Sequence, residues 1–111
     1  MELLETYVER LLKKDAEGIR ELFGETARYD DYTKTGVFMT ETHLIGSVAV
    51  YMYFCNRFIF RTYDPLEGKV IDDNHAELTI REGEKGKKIN IVLADAKDGK
   101  IEKLILTPAE A

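Results

Sequence analysis

Lys87-Lys88-Ile89-Asn90-Ile91-Val92-Leu93-Ala94-Asp95-Ala96-Lys97-Asp98-Gly99-Lys100-Ile101-Glu102-Lys103-Leu104-Ile105-Leu106-Thr107 is the stretch on which the fold turns. Ile89, Ile91 and Leu93 fall in phase at a period of two, the spacing of one face of a strand. Asp98-Gly99 is the strongest hairpin signal in the chain, because a two-residue type I′ turn needs positive φ at both central positions. Lys87–Ala96 and Lys100–Thr107 therefore read as two antiparallel strands, and Pro108 ends the second. Upstream, His75–Glu82 alternates in the same way, with Ala76, Leu78 and Ile80 on one face and His75 on the other. Gly83–Gly86 reads as the hairpin connection between these strands and Asp72-Asp73-Asn74 as the turn before them. Further back, Lys69–Ile71 is extended, Asp64-Pro65 opens a turn that Gly68 closes, and Arg57–Tyr63 alternates as another strand.

The first half of the chain has a different period. Leu3, Leu4, Tyr7, Val8, Leu11 and Leu12 form one stripe of a helix over 2–14, with acids early and bases late, as the helix dipole favours. Asp15 N-caps a short second helix whose Ala16, Ile19, Leu22 and Phe23 face inward, and Gly24 ends it. Ala27–Thr33 is a short strand with Tyr29 and Asp31 on one face and Arg28 and Asp30 on the other. Thr40 caps a third helix running to about Cys55, with Leu44, Ile45, Val48, Met52 and Cys55 as its inner stripe, although Val48, Val50 and the tyrosines also suit a strand. Helices followed by an antiparallel meander give an α+β layer fold. The expected architecture is about three N-terminal helices packed on a strongly curved antiparallel sheet, a cone enclosing an apolar pocket, in one domain spanning 1–111.

Composition sets the outer limits. The sequence has 111 residues, 44 % hydrophobic and 33 % charged, with a net charge of -5. Interspersed acids and bases without a basic face argue against a nucleic-acid partner. No apolar run approaches the roughly 20 residues that span a bilayer, so no membrane partner is expected. The acidic, amphipathic N-terminus does not resemble a secretory signal, and a cytoplasmic location is expected. Cys55 is the one cysteine. It allows no internal disulfide and no cysteine-based zinc site. His43 and His75 lie in no ligand motif, and no phosphate-gripping loop or nucleophile elbow occurs, so neither metal nor cofactor is expected.

The run Tyr7-Val8-Glu9-Arg10-Leu11-Leu12-Lys13-Lys14-Asp15-Ala16-Glu17-Gly18-Ile19-Arg20-Glu21-Leu22-Phe23, followed by Asp30-Asp31 and later by Asp98-Gly99-Lys100-Ile101, resembles the nuclear transport factor 2-like superfamily. Within it the likeness is to the ketosteroid isomerase branch and the SnoaL-like, polyketide cyclase-like proteins. The resemblance implies a cone-shaped fold with a bent sheet around a deep pocket and a homodimer formed through the outer sheet face. In the isomerase branch an aspartate base works beside an oxyanion hole made by a tyrosine and a protonated aspartate. By motif position the resemblance places the base at Asp31 and the tyrosine at Tyr7. The second acid would fall at Ile91, where Asn90 is the polar neighbour, and Tyr32 stands where the family commonly has proline. A missing oxyanion donor costs about 3–4 kcal/mol of transition-state stabilisation. Steroid isomerisation itself is therefore not expected.

The candidate site consists of Asp31 and Tyr7 as catalytic groups. Tyr29, Leu44, Val48, Met52, Leu78, Ile80, Ile91, Leu93 and Leu104 are the ligand-lining residues. Against an apolar wall an unpaired Asp31 carboxylate has its pKa raised and becomes a better base. Asp30, on the opposite face, reads as a solvated surface acid. The expected ligand is a small hydrophobic molecule with a carbonyl or ring oxygen, handled by proton transfer of the isomerase, cyclase or lyase type. The alternative is a non-catalytic dimeric module that binds a ligand or a protein. The aromatic surplus in Tyr51–Phe54 and Phe58–Phe60 suits a pocket lining or an interface.

Overall fold

The structure is a computed structural model and describes residues 2–34, 40–59, 64–82 and 85–109. The elements follow the order α1 (Glu2–Leu12), α2 (Ala16–Leu22), β1 (Phe23–Asp31), β2 (Thr42–Ile45), α3 (Ser47–Ile59), β3 (Asp64–Asp72), β4 (His75–Glu82), β5 (Lys85–Lys97) and β6 (Lys100–Pro108). The six strands form one sheet in the order β2-β1-β6-β5-β4-β3. β1 and β6 are parallel and every other pair is antiparallel. Register shifts in β1, β3 and β5 mark bulges, which bend and coil a sheet. Three helices on a curled, mostly antiparallel sheet is the α+β architecture expected from the sequence.

The helical corner at the N-terminus is built by its caps. Lys14 has φ 57° and closes α1 in the left-handed region. The Asp15 N–H then donates to Arg10 O and the Lys14 N–H to Leu11 O, at 2.9 and 3.0 Å. This is a Schellman ending with lysine in the place that favours glycine. Asp15 immediately caps α2 by accepting the Gly18 N–H at 2.9 Å. Leu4, Tyr7, Val8 and Leu11 are buried, as the α1 stripe predicts. α1 crosses the sheet above β3, and at Gly68 any Cβ would meet Val8 Cγ1 at 2.4 Å. That glycine lies mid-strand and permits the close approach, rather than closing a turn.

Several boundaries differ from the sequence reading, each for a physical reason. Phe23 already has extended dihedrals (φ -100°, ψ 140°), so α2 stops at Leu22 and Gly24 lies inside β1. Asp64-Pro65 lies in β3, whose position at the sheet edge tolerates a residue without an N–H. The third helix does not begin at Thr40. Thr42–Ile45 pairs with Arg28–Asp31 as β2. Gly46, at φ 99°, then turns the chain, donating to Ala27 O at 2.7 Å and accepting the Val50 N–H at 3.2 Å. α3 starts after that glycine and runs through Arg57 to Ile59, where a strand was expected; the rest of that expected strand, and the tip of the hairpin at 83–84, lie outside the described residues. The hairpin at Asp98-Gly99 is as read, with φ 53° and 76°.

Candidate functional site

β1 delivers the site through strand parity. Tyr29 pairs with Leu104 and Asp31 with Leu106, so both side chains lie on the concave face under the helices. Asp31 is only 2 % exposed. Its Oδ1 accepts the Thr33 N–H at 2.8 Å and also the Thr33 hydroxyl. Both bonds go to Oδ1. The Thr33 carbonyl in turn accepts from Lys87 Nζ at 3.2 Å, tying the end of β1 to β5.

α3 supplies the opposing wall. Tyr53 and Arg57 are one helical turn apart and share its inner face. Arg57 is 1 % exposed. Its Nη1 donates to the Tyr53 hydroxyl, and its guanidinium carbon stands 5.4 Å from the Tyr53 ring centroid. Burial pushes the Tyr53 phenol above its ordinary range, the Arg57 charge opposes that rise, and the Asp31 charge adds to it. The Thr42 side chain hydrogen-bonds the same phenol. Tyr29 packs between Tyr53 and Phe54, with centroids 5.6 and 5.7 Å away. A carboxylate and a guanidinium thus stand in a core of leucine, isoleucine and aromatic rings. Buried charge is costly unless partners compensate it. A phenol held neutral remains a hydrogen-bond donor at neutral pH.

The other expected residues are distributed as follows. Tyr7 is fully buried in α1, edge-on to Phe23 at 6.0 Å. Leu78, Ile80, Ile91 and Leu104 are wholly buried and Leu93 nearly so. Among the described residues, Leu78, Ile80, Ile91 and Leu104 thus have no water-sized space beside them and pack against their neighbours on the concave face. Leu44 is half-buried against this core. Val48 and Met52 are not on the inner stripe: they are 51 % and 58 % exposed. Starting α3 at Ser47 instead of Thr40 turns Val50, Phe54 and Arg57 inward instead. An open recess of about 630 Å³ lies at the other end of β1, lined by Glu17, Arg20, Glu21, Lys97, Lys100 and Glu102, with both signs of charge mixed.

Asp30 points outward, as parity requires, yet it is only 5 % exposed rather than solvated. His43 covers it. The histidine belongs to β2, directly opposite Asp30, and its Nδ1–H donates to Asp30 Oδ1 at 2.8 Å. Its Nε2 stands 3.1 Å from Glu41 Oε1, and the Tyr32 ring packs edge-on at 5.1 Å. The hydrogen bond to Asp30, then that to Glu41, raises the His43 pKa above 6.5. His75 faces outward and meets Asn90 at 3.2 Å. Among the described residues no group of three or more His, Cys, Asp or Glu is placed to hold a metal ion, and no helix is long and apolar enough to cross a membrane.

Sequence reasoning overlooked Arg57, Thr33 and Thr42, and read Tyr53 only as part of the aromatic surplus in Tyr51–Phe54. One signal was present: Arg57 is the only charged residue between Ser47 and Ile59. On a helix otherwise so apolar, a lone arginine four residues after a tyrosine marks a buried pair.

No protein-family model matches the sequence, and no curated protein matches it. Solved structures do. A protein with a ketosteroid isomerase-like fold from Catenulispora acidiphila, solved with trimethylamine, superposes with a TM-score of 0.73 at 8 % identity over 96 % of this chain and 84 % of that one. The fold is that of the nuclear transport factor 2-like proteins. A SnoaL-like protein from Burkholderia thailandensis gives 0.66 at 12 % identity, covering 98 % and 93 % of the two chains. A nuclear transport factor 2-like protein from Burkholderia xenovorans gives 0.65 at 13 % identity, covering 99 % and 84 %. Identities this low establish the nuclear transport factor 2-like architecture and leave the chemistry to the site itself.

Proposed function

We propose that this chain is a small-molecule-binding domain that acts by proton transfer on an apolar compound bearing a carbonyl or ring oxygen. The reading is carried by one observation: Asp31 and Arg57, 2 % and 1 % exposed, bear on the same Tyr53 phenol at the inner surface of the sheet. Buried ionisable groups gathered in a concave fold make a candidate reacting site. In this scheme the Tyr53 hydroxyl and the Arg57 guanidinium steady the oxygen on which negative charge develops. Asp31 Oδ2 takes the proton from the adjacent carbon, while Thr33 holds Oδ1. Tyr7 then serves as packing against Phe23, and Tyr29 orients Tyr53. Isomerisation, cyclisation and lyase chemistry all begin with this step.

A second reading is favoured by a different observation. Among the described residues, Leu78, Ile80, Ile91 and Leu104 on the concave face have no accessible surface, which suits a non-catalytic interaction module. One experiment separates the two. Small cyclic ketones and enones are added to ¹⁵N-labelled protein in D₂O. Deuterium uptake at their α-carbons and amide shifts are followed together. The proposal expects uptake by the wild type, its loss in Asp31→Asn, and shifts centred on 31–33 and 53–57. Neither uptake nor shifts across the panel would leave the interaction module as the better account.

A further inference from the structure

β2 is four residues long and lies at the edge of the sheet, beside β1. A short edge strand is among the first parts of a fold to open. Its two ends are held differently. After Ile45 the Gly46 N–H donates to Ala27 O at 2.7 Å. At the other end two neighbouring side chains take hold on opposite faces. Thr42 stands opposite Asp31 on the inner face, and its side chain hydrogen-bonds the Tyr53 phenol. His43 stands opposite Asp30 on the outer face. Its Nδ1 lies 2.8 Å from Asp30 Oδ1 and its Nε2 3.1 Å from Glu41 Oε1. A neutral imidazole carries one N–H, so only the imidazolium donates to both carboxylates. Loss of its proton turns a lone pair toward one carboxylate and removes one of the two bonds. Arg28 of β1 also faces Asp30, with its Nε 3.9 Å from Oδ2. On the same face of β6, Lys103 pairs with Arg28 and Ile105 with Asp30, while the Tyr32 ring stands against His43. Arg28 and Lys103 keep their charge near neutral pH, so His43 is the group of this cluster that changes there.

We infer that Thr42 is a positioning residue for the Tyr53 phenol, and that the His43 imidazolium on the other face of β2 keeps it in place. The phenol oxygen accepts from Arg57 Nη1. A phenol has a single O–H, and with Arg57 on the oxygen the Thr42 hydroxyl is placed to fix where that proton points. Strand parity makes the coupling direct. The residue that takes up the proton and the residue that touches the phenol are neighbours in the chain, on opposite faces of one strand. While His43 is charged, this end of β2 is pinned on both faces. Once it is neutral, the outer hold on Asp30 weakens and Thr42 withdraws from Tyr53. The consequence for catalysis rests on the proton-transfer reading above: the Tyr53 donor is aligned on the acid side of the His43 titration and loses its alignment on the alkaline side. The coupling itself needs no substrate.

The test follows the Tyr53 Cζ resonance of the full chain by ¹³C NMR from about pH 5 to about pH 9, the range in which histidine titrates. Its loss in Tyr53→Phe assigns it, and the His43 ring protons are read in the same samples with no ligand added. The wild type is expected to show a step in Tyr53 Cζ with the midpoint of His43. Two variants separate the strand from the bare field of the imidazolium. Thr42→Val keeps His43 and its charge but removes the hydroxyl beside the phenol, so the step should vanish, and Thr42→Ser should restore it. His43→Asn can still donate to Asp30 but does not titrate, so its Tyr53 profile should be flat. A wild-type Cζ that does not move with His43 overturns the inference, and so does a step that survives Thr42→Val. The ketone exchange experiment fails or succeeds separately. Exchange without the step removes the role given to Thr42 and leaves the proton-transfer reading. A step without exchange supports the coupling and counts against that reading.

Discussion

Replacing Asp31 with asparagine tests the site at its centre, and the sign of the stability change carries the information. Thr33 donates two buried hydrogen bonds to Asp31 Oδ1, one from its N–H and one from its hydroxyl. Asparagine keeps an acceptor there but loses the charge. A bond to a charged group contributes about 1.5–3 kcal/mol against about 1 for a neutral one, so two bonds weaken by roughly 1–4 kcal/mol together. Removing the carboxylate also takes away the negative charge that shares Tyr53 with the buried Arg57 guanidinium. Relief of desolvation acts in the opposite direction and would dominate for an isolated acid. With Thr33 and Arg57 in place, the variant is expected to be less stable by about 1–3 kcal/mol, which moves a urea midpoint down by roughly 1 M. A second reading on the same variant follows the phenol. The Asp31 charge raises the Tyr53 pKa, so Asp31→Asn should lower it, seen in the ultraviolet tyrosinate titration with Tyr53→Phe as the subtraction control. A variant as stable as the wild type, or more so, would refute the compensation argued here. It would mean that the charge is kept at the expense of stability, as an unpaired acid among Leu78, Ile80, Leu93 and Leu104 would be.

Two further outcomes follow from the geometry. His43 should titrate above the ordinary 6.5 in a histidine proton NMR series, and Asp30→Asn should bring it back down, because the hydrogen bond to Asp30 is the first cause of the rise. A group whose folded pKa is raised contributes stability that is full below its unfolded value, so the β1–β2 pairing should weaken as pH rises from about 6.5 through the folded value. Unchanged protection of the β2 amides across that range would count against it. Gly68→Ala should cost about 1–3 kcal/mol by overpacking, since its Cβ would stand 2.4 Å from Val8 Cγ1. Adding Val8→Ala should make the alanine at 68 much less costly, and thermal unfolding of the four-member cycle measures the coupling.

The strands were legible where one periodicity ruled. Ala76, Leu78, Ile80, Ile89, Ile91 and Leu93 all fall on the buried face, and the Asp98-Gly99 hairpin has the positive φ pair its residues favour. Parity alone turned Asp31 in and Asp30 out. It did not reveal that Asp30 would be covered, because that depends on His43 lying in β2 instead of in a helix. The same error displaced the third helix. Thr40 offered a plausible cap, while the true break is Gly46, whose φ of 99° no periodicity announces. Once the helix start moves, Val48 and Met52 turn outward and Tyr53 with Arg57 turn in. A helical site is only as legible as the first residue of its helix, whereas a strand site needs only odd and even.

The strand order has a consequence for how the chain folds. β1 lies between β2 and β6, so Asp31 finds its partner Leu106 near the far end of the sequence. β3 to β6 are joined as a meander whose pairings are local, and local contacts close early. The helices and β1 meet one another through Tyr7, Phe23, Tyr29 and Phe54, but their remaining apolar surface is covered only by that meander. On a ribosome, everything up to Ile59 therefore waits, unsheltered, for the strands that follow. The Asp31–Tyr53–Arg57 cluster, built wholly from that waiting half, gains the Leu104–Leu106 side of its wall only when β6 is made.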